Sequence, residues 1–198
     1  VHFERASWFL VKCQVIEPYI ERGTLRGFIC PWEIGECAEE GTFPIQEDFH
    51  DTLEAIWVWS YYTEVSHKQT FKPNIDWAWE YIVKNWKRFI EEKDDKSLYD
   101  CSHVLFSGTF YQRVFNDNRH EKMVLQAGNR LERYLDKLKS TEGREYYDPF
   151  WMAYCLGVAA ESLKEKKWLK TVQAFVKNTF VSAENPFSKV EREPRHKG

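Results

Sequence analysis

The chain has 198 residues, a formal net charge of −3 and a pI of about 6.1, and this length favours one domain with a single core. The acidic balance and the mixed sign of the charged clusters exclude the basic surface typical of nucleic-acid binding. No stretch approaches the roughly 18 consecutive apolar residues that a membrane-spanning helix needs. We therefore expect a protein that binds neither nucleic acid nor a membrane.

The five cysteines are an odd number, and Cys13, Cys101 and Cys155 lie in apolar runs where cysteine behaves as a small hydrophobe. This usage favours a reducing compartment and predicts a cytoplasmic protein. Cys30 and Cys37 could pair or bind a metal, but a zinc site needs four ligands and no second pair of ligands joins them. We predict neither a metal nor a cofactor.

The first predicted element is an amphipathic helix over roughly 4–19, which Pro18 should end or bend. The longest connection follows, over 23–50. From position 31 to position 51 it contains seven acidic residues and no lysine or arginine. A connection this long is usually functional or disordered, and its aromatic and apolar residues favour packing.

Three aspartates recur along the rest of the chain at a nearly constant interval. Asp51, Asp100 and Asp148 stand 49 and 48 residues apart, and a histidine or tyrosine precedes each of them. An interval near 49 residues with two helices per interval predicts stacked α-hairpins. Aspartate is also among the best N-cap residues, so the same three positions are candidate helix caps.

Each aspartate opens a nearly uncharged stretch, over 52–63, 101–112 and 149–160, and Glu54 is the single charged residue among them. A helix that is apolar all round is buried all round. These three stretches therefore predict inner helices.

An amphipathic stretch follows each apolar one, over 75–90, 119–139 and 168–180. Because only one face of these helices is apolar, we expect them to form an outer layer. The predicted class is all-α, with α-hairpin repeats of about 49 residues that form a partial or short (α/α) toroid. The helical domain covers 1–181, and 182–198 is a polar C-terminal tail.

Trp-rich inner helices that begin at aspartates 49 residues apart resemble the α/α-toroid superfamily over residues 4–180. That superfamily includes six-hairpin glycosidases and lyases, terpenoid cyclases and protein prenyltransferases. Six hairpins at this interval would need about 290 residues. The resemblance therefore implies an open arc, a short ring, part of a longer protein, or a ring completed by a homo-oligomer or a partner chain.

Motifs that carry activity in those relatives are mostly missing. The Asp-x-Asp-Asp signature of squalene-type cyclases is absent, and the nearest string runs from Asp48 to Asp51. The zinc ligands of prenyltransferases are aspartate, cysteine and histidine spread along the chain. Here these residue types are adjacent, from Asp100 to His103, so that site is not carried over.

Carboxylates near aromatic rings suit sugar chemistry, because rings stack on sugar CH faces and paired acids supply a proton donor with a base or nucleophile. Glu54 needs a partner or a pocket, since a buried unpaired carboxylate is costly. The candidate catalytic residues are Glu33, Glu47, Asp48 and Glu54. The candidate binding residues are Trp32, His50, Asp51, Trp57, Tyr99, His103 and Tyr147.

Three functions remain open. The first is a carbohydrate-active hydrolase or lyase that acts on an oligosaccharide with paired carboxylates in a Trp-lined groove. The second is a non-catalytic helical-repeat scaffold, which should present an exposed apolar patch on a concave face. The third is an enzyme like the terpenoid cyclases or prenyltransferases, with a closed apolar cavity for a small-molecule substrate.

Overall fold

The computed structural model describes residues 2–16, 27–30, 49–91, 95–138 and 148–180. Regular structure in these ranges is helical apart from one isolated antiparallel bridge, which confirms the predicted all-α class. No helix in these ranges has the length and apolar character needed to cross a membrane. The helices are α1 (His2–Cys13), α2 (Phe49–Ser66), α3 (Lys72–Glu91), α4 (Asp95–Phe115), α5 (Glu121–Lys137), α6 (Pro149–Leu163) and α7 (Lys166–Phe180).

Helix α1 ends at Cys13, six residues before the predicted end at position 19. The chain leaves the helix because its backbone bonds to a distant segment. The Val15 N–H donates to the Phe28 carbonyl at 2.9 Å, and the Gly27 N–H donates to the Val15 carbonyl at 2.8 Å. Pro18, which was expected to end the helix, lies outside the described residues.

Helices α2, α4 and α6 lie side by side, with α4 between the other two. Several side-chain contacts between α2 and α4 join residues whose numbers differ by 49, and two between α4 and α6 join residues that differ by 48. A constant offset along ten residues means that these helices run parallel. The pairs are Glu54–His103, Trp57–Phe106, Tyr61–Phe110 and Glu64–Arg113, followed by His103–Trp151 and Phe106–Tyr154.

Helices α3, α5 and α7 form a second layer, and each packs on the helix that precedes it. Their apolar stripes face the first layer, as the amphipathic pattern predicted. Ile75 and Trp79 of α3, Val124 and Leu131 of α5 and Trp168 of α7 are each at most 1% exposed. The core therefore lies between the two layers.

The prediction that the inner helices are buried all round is wrong for one face. Tyr61 is 40% exposed and Tyr154 is 55% exposed. Each inner helix packs sideways on its neighbours and outward on the second layer, which leaves one face open to solvent. We call the rings on this face the aromatic stripe; it consists of Trp57, Tyr61, Phe106, Phe110, Trp151 and Tyr154.

Close packing between α5 and α7 depends on Gly128. A Cβ atom at Gly128 would lie 2.2 Å from Cη2 of Trp168, a ring that is 1% exposed and donates from Nε1 to Asn129 at 3.2 Å. We expect Gly128→Ala to lower the free energy of unfolding by about 2 kcal/mol through overpacking. Urea denaturation followed by tryptophan fluorescence measures this change.

Gly157→Ala is the matched control, because a Cβ there would meet Val172 at an ordinary 3.7 Å. Removal of a glycine from a helix interior should stabilise that variant by about 0.5–1 kcal/mol. A Gly128→Ala protein as stable as the Gly157→Ala protein would contradict the tight contact between α5 and α7.

Candidate functional site

Ionisable side chains gather where α2 and α4 begin, at one end of the aromatic stripe. We call this set the acid–imidazole cluster; it consists of His50, Asp51, Glu54, Tyr99, Asp100 and His103. The cluster forms because α2 and α4 run parallel at an offset of 49, which sets residues 50–54 of α2 beside residues 99–103 of α4.

The expectation that all three repeated aspartates cap helices is confirmed for one of them. Asp148 is the N-cap of α6, and its side chain accepts a hydrogen bond from the Phe150 N–H at 2.8 Å. Asp51 and Asp100 are not caps, because α2 starts at Phe49 and α4 starts at Asp95. Their carboxylates are therefore left to interact with other side chains.

Glu54 and His103 form a side-chain pair in the cluster, with 3.2 Å between Oε1 and Nε2. The other ring nitrogen, Nδ1, lies 3.1 Å from the Tyr99 carbonyl oxygen. A carbonyl oxygen only accepts, so Nδ1 is the donor in this contact. The hydrogen bond from His103 lowers the pKa of Glu54 against the opposing effect of burial, so this carboxyl ionises more readily than a free one.

The Glu54 side chain is 54% exposed whereas the His103 side chain is 3% exposed. The expectation of a buried carboxylate at position 54 is therefore wrong, although the expected partner is present. A carboxylate that is held from behind by a buried imidazole and open to solvent in front can contact a ligand. It is fixed in direction, which is what a catalytic or binding carboxylate needs.

His50 lies between two carboxylates. Its Nε2 is 3.4 Å from Oδ1 of Asp51, and its Nδ1 is 3.9 Å from Oδ1 of Asp100. The Asp100 side chain is 2% exposed, and its burial raises the pKa of this carboxyl against the opposing charges of Lys96 and His50. Asp100 is therefore placed to orient His50 from inside, while Asp51, at 33% exposure, is open to a ligand.

Aromatic contacts join the cluster to the stripe. Tyr99 packs edge-on against His103 at 4.6 Å between ring centroids, and burial raises the pKa of its hydroxyl. His103 lies 5.8 Å from Trp151, which lies 5.4 Å from Phe106. Phe106 in turn lies 5.5 Å from Trp57. The carboxylates thus stand at the end of a continuous aromatic surface.

The structure brings six of the predicted site residues together: His50, Asp51, Glu54, Tyr99 and His103 in the cluster, and Trp57 on the aromatic stripe. The other five predicted residues, Trp32, Glu33, Glu47, Asp48 and Tyr147, lie outside the described residues. Sequence reasoning missed Lys96, Trp151 and the role of Asp100 beside His50. The repeat spacing was a usable signal for Trp151, since it stands 48 residues after His103.

A depression of about 530 Å³ lies on the outer layer, between α3, α5 and α7, and Arg130 and Lys167 line it. Both cations serve the packing of these helices. Arg130 donates to the Ile90 carbonyl at 2.9 Å, and Lys167 donates to the buried Glu132 at 2.9 Å. In the described part of the chain, no group of three or more acidic, histidine or cysteine side chains could hold a metal ion.

His120 is a buried histidine away from the cluster. Its ring stacks on Trp79 at 4.2 Å and is 8% exposed. Burial lowers its pKa to about 4, from 6.5 in an unfolded chain. Between these values the unfolded chain binds the proton and the folded one does not, so stability should fall as the pH drops from 6.5 to 4 and then level off.

Over this pH range the titration of His120 should lower the free energy of unfolding by about 2 kcal/mol, a figure that allows for partial contact of the ring with solvent. His120→Phe keeps a ring on Trp79 and should reduce the loss measured by urea denaturation at pH 7 and pH 4.5. His67→Asn is the control, because His67 is exposed and its φ of 57° suits asparagine. Equal pH dependence in His120→Phe and the parent protein would contradict the burial of a neutral His120.

No family model matches the chain. No match was found among curated proteins or solved structures either.

Proposed function

We propose that this protein is a carbohydrate-active enzyme, a hydrolase or lyase, whose substrate lies along the aromatic stripe. One observation carries the proposal: exposed carboxylates, each held by an imidazole, stand at the end of a half-exposed row of aromatic rings. Rings of this kind stack on the CH faces of sugars. Carboxylates at the end of the row act on the bond that joins two sugars.

Asp51 and Glu54 are the carboxylates that a substrate reaches. They stand three residues apart on α2, a spacing that places their Cβ atoms about 5–6 Å apart on one face. Retaining glycosidases separate their two carboxyl groups by about 5–5.5 Å and inverting ones by about 6.5–9.5 Å. A Cβ spacing of about 5–6 Å on one helix face is compatible with both separations.

The division of roles follows from the surroundings. The hydrogen bond from His103 lowers the pKa of Glu54, so Glu54 is the base or nucleophile. Asp51 and the buried Asp100 both lie beside the ring of His50. We therefore assign to His50 and Asp51 the transfer of a proton to or from the substrate. His103 and Asp100 are positioning residues.

We also propose that the hairpins belong to an (α/α) toroid, with the aromatic stripe on its central face. The parallel order of α2, α4 and α6 at offsets of 49 and 48 residues supports this arrangement. Three hairpins form an arc. A further copy or a partner chain would therefore complete the ring.

Binding of neutral oligosaccharides, measured by isothermal titration calorimetry, tests the proposal. Trp57→Ala should weaken binding about tenfold, equivalent to about 1.4 kcal/mol, through loss of a stacking ring. Trp86→Ala is the matched control, because Trp86 is a half-buried ring on the outer helix α3 that donates to Gln126 at 2.7 Å. Equal affinities of the two variants would count against the stripe as the binding surface.

The second candidate function is a non-catalytic scaffold that binds a partner on the same face, and the exposure of Tyr61 and Tyr154 favours it. The two functions differ in what Glu54→Gln does. An enzyme loses turnover and keeps binding, whereas a scaffold shows no turnover in either form.

A further inference from the structure

Cys13 and Cys30 meet across the one β-bridge of the described chain. The bridge pairs Gln14 with Ile29 in antiparallel sense. On one side of it the Val15 N–H donates to the Phe28 carbonyl at 2.9 Å, and on the other the Cys30 N–H donates to the Cys13 carbonyl at 2.8 Å. This pattern sets Cys13 directly opposite Cys30.

Opposite residues that exchange both backbone bonds have Cα atoms about 5.5 Å apart and project to the same face. Cys13 and Cys30 make one of these two bonds, because Cys13 is also the last residue of α1. Disulfides span Cα separations of about 4.4–6.8 Å, with most near 5.5–6 Å. Both residues are buried, Cys13 at 1% and Cys30 at 3% exposure, so their sulfurs lie in the core rather than apart in solvent. A backbone hydrogen bond and burial in the same core thus place the two cysteines close together.

We propose that Cys13 and Cys30 are a site of disulfide formation that fastens α1 to the segment 27–30. The disulfide would lie close to the acid–imidazole cluster. The neighbouring Ile29 N–H donates to Oγ1 of Thr52 at 3.0 Å, and Thr52 lies between Asp51 and Glu54 on α2.

The oxidant is a small disulfide such as oxidised glutathione. One protein thiolate attacks a sulfur of that disulfide, which forms a mixed disulfide and releases one glutathione thiolate. The second protein thiolate then attacks the mixed disulfide, forms the bond between positions 13 and 30 and releases the second glutathione thiolate. Two protein thiols are oxidised, one glutathione disulfide is reduced to two thiols, and the protons pass to solvent.

Burial slows attack on the folded protein, so oxidation is tested in two ways: by incubating the native chain with oxidised glutathione, and by refolding the reduced chain in a glutathione buffer. The expected product has three of its five thiols left for titration in denaturant, and a mass lower by two hydrogens. Cleavage after glutamate separates Cys30 from Cys37, because Glu33 and Glu36 lie between them. The linked peptides should contain Cys13 and Cys30.

Cys13→Ala and Cys30→Ala should each abolish the link, whereas Cys101→Ala should retain it and lower the thiol count by one before and after oxidation. Oxidised protein should unfold at a higher urea concentration than reduced protein, and a reductant should reverse the difference. Three results would overturn the proposal: a Cys30–Cys37 link, five thiols remaining after refolding with the oxidant, or a stable mixed disulfide at either position.

Discussion

Replacement of Gly27 by alanine is expected to lower the free energy of unfolding by about 3 kcal/mol or more, which combines backbone strain with overpacking. Gly27 has a φ of 107°, a conformation that side chains with a Cβ rarely adopt. A Cβ there would lie 1.8 Å from the Trp77 carbonyl oxygen and 2.5 Å from its carbon. These are backbone atoms of α3, so no side-chain rotation relieves the clash.

Gly27 also holds the bridge segment against α3. Its carbonyl accepts from Nε2 of Gln14 at 3.1 Å, and the same Nε2 donates to the Asn74 carbonyl at 2.8 Å. Urea denaturation at pH 7, with Gly157→Ala as the tolerated glycine replacement, measures the cost. A Gly27→Ala protein within about 0.5 kcal/mol of the parent, the usual range of an unimportant surface change, would contradict the contact between segment 27–30 and α3.

Under the proposed carbohydrate-active function, Glu54→Gln should reduce kcat/KM on an oligosaccharide substrate by about 10³-fold, the range of a lost general base or nucleophile. Glutamine keeps the shape of the side chain and can still bond to His103, so the fold and the aromatic stripe should be unchanged. Affinity for the oligosaccharide should therefore stay within about threefold of the parent value, well under the tenfold that 1.4 kcal/mol would produce. Kinetics and calorimetry on the same preparations separate the two effects.

Glu64→Gln is the matched control for this prediction. Glu64 lies on the same helix and faces the same way, and it pairs with Arg113 at 3.1 Å at the same 49-residue offset. It stands at the opposite end of the stripe from the acid–imidazole cluster. An equal loss of turnover in both variants would mean that the effect comes from the charge of α2 and not from the site.

The positions of the inner helices could be predicted from sequence because the signal is compositional. Twelve-residue stretches with at most one charge, repeated at a fixed interval, have few alternatives to a buried helix. The same interval aligns Glu54 with His103 and Trp57 with Phe106, and the structure pairs both. Much of the candidate site could therefore be predicted from the repeat itself.

Helix ends and exposed faces were harder to predict, since they depend on neighbours distant in sequence. Helix α1 ends at Cys13 because the backbone groups at its end bond to segment 27–30 instead of continuing the helix. Asp100 is interior to α4 because that helix starts five residues earlier, at Asp95. One face of each inner helix is open because the helix packs on its neighbours and on the second layer but on nothing else. A helix that is apolar on all sides gives no sign of which face will be open.

The most direct test of the central claim is a crystal structure of the protein with the oligosaccharide that it binds most tightly. The account predicts sugar rings stacked on Trp57 and Trp151, with one glycosidic oxygen within hydrogen-bonding distance of Asp51 or Glu54. An oligosaccharide bound instead in the outer depression beside Arg130, or contacting neither the aromatic stripe nor the acid–imidazole cluster, would contradict it.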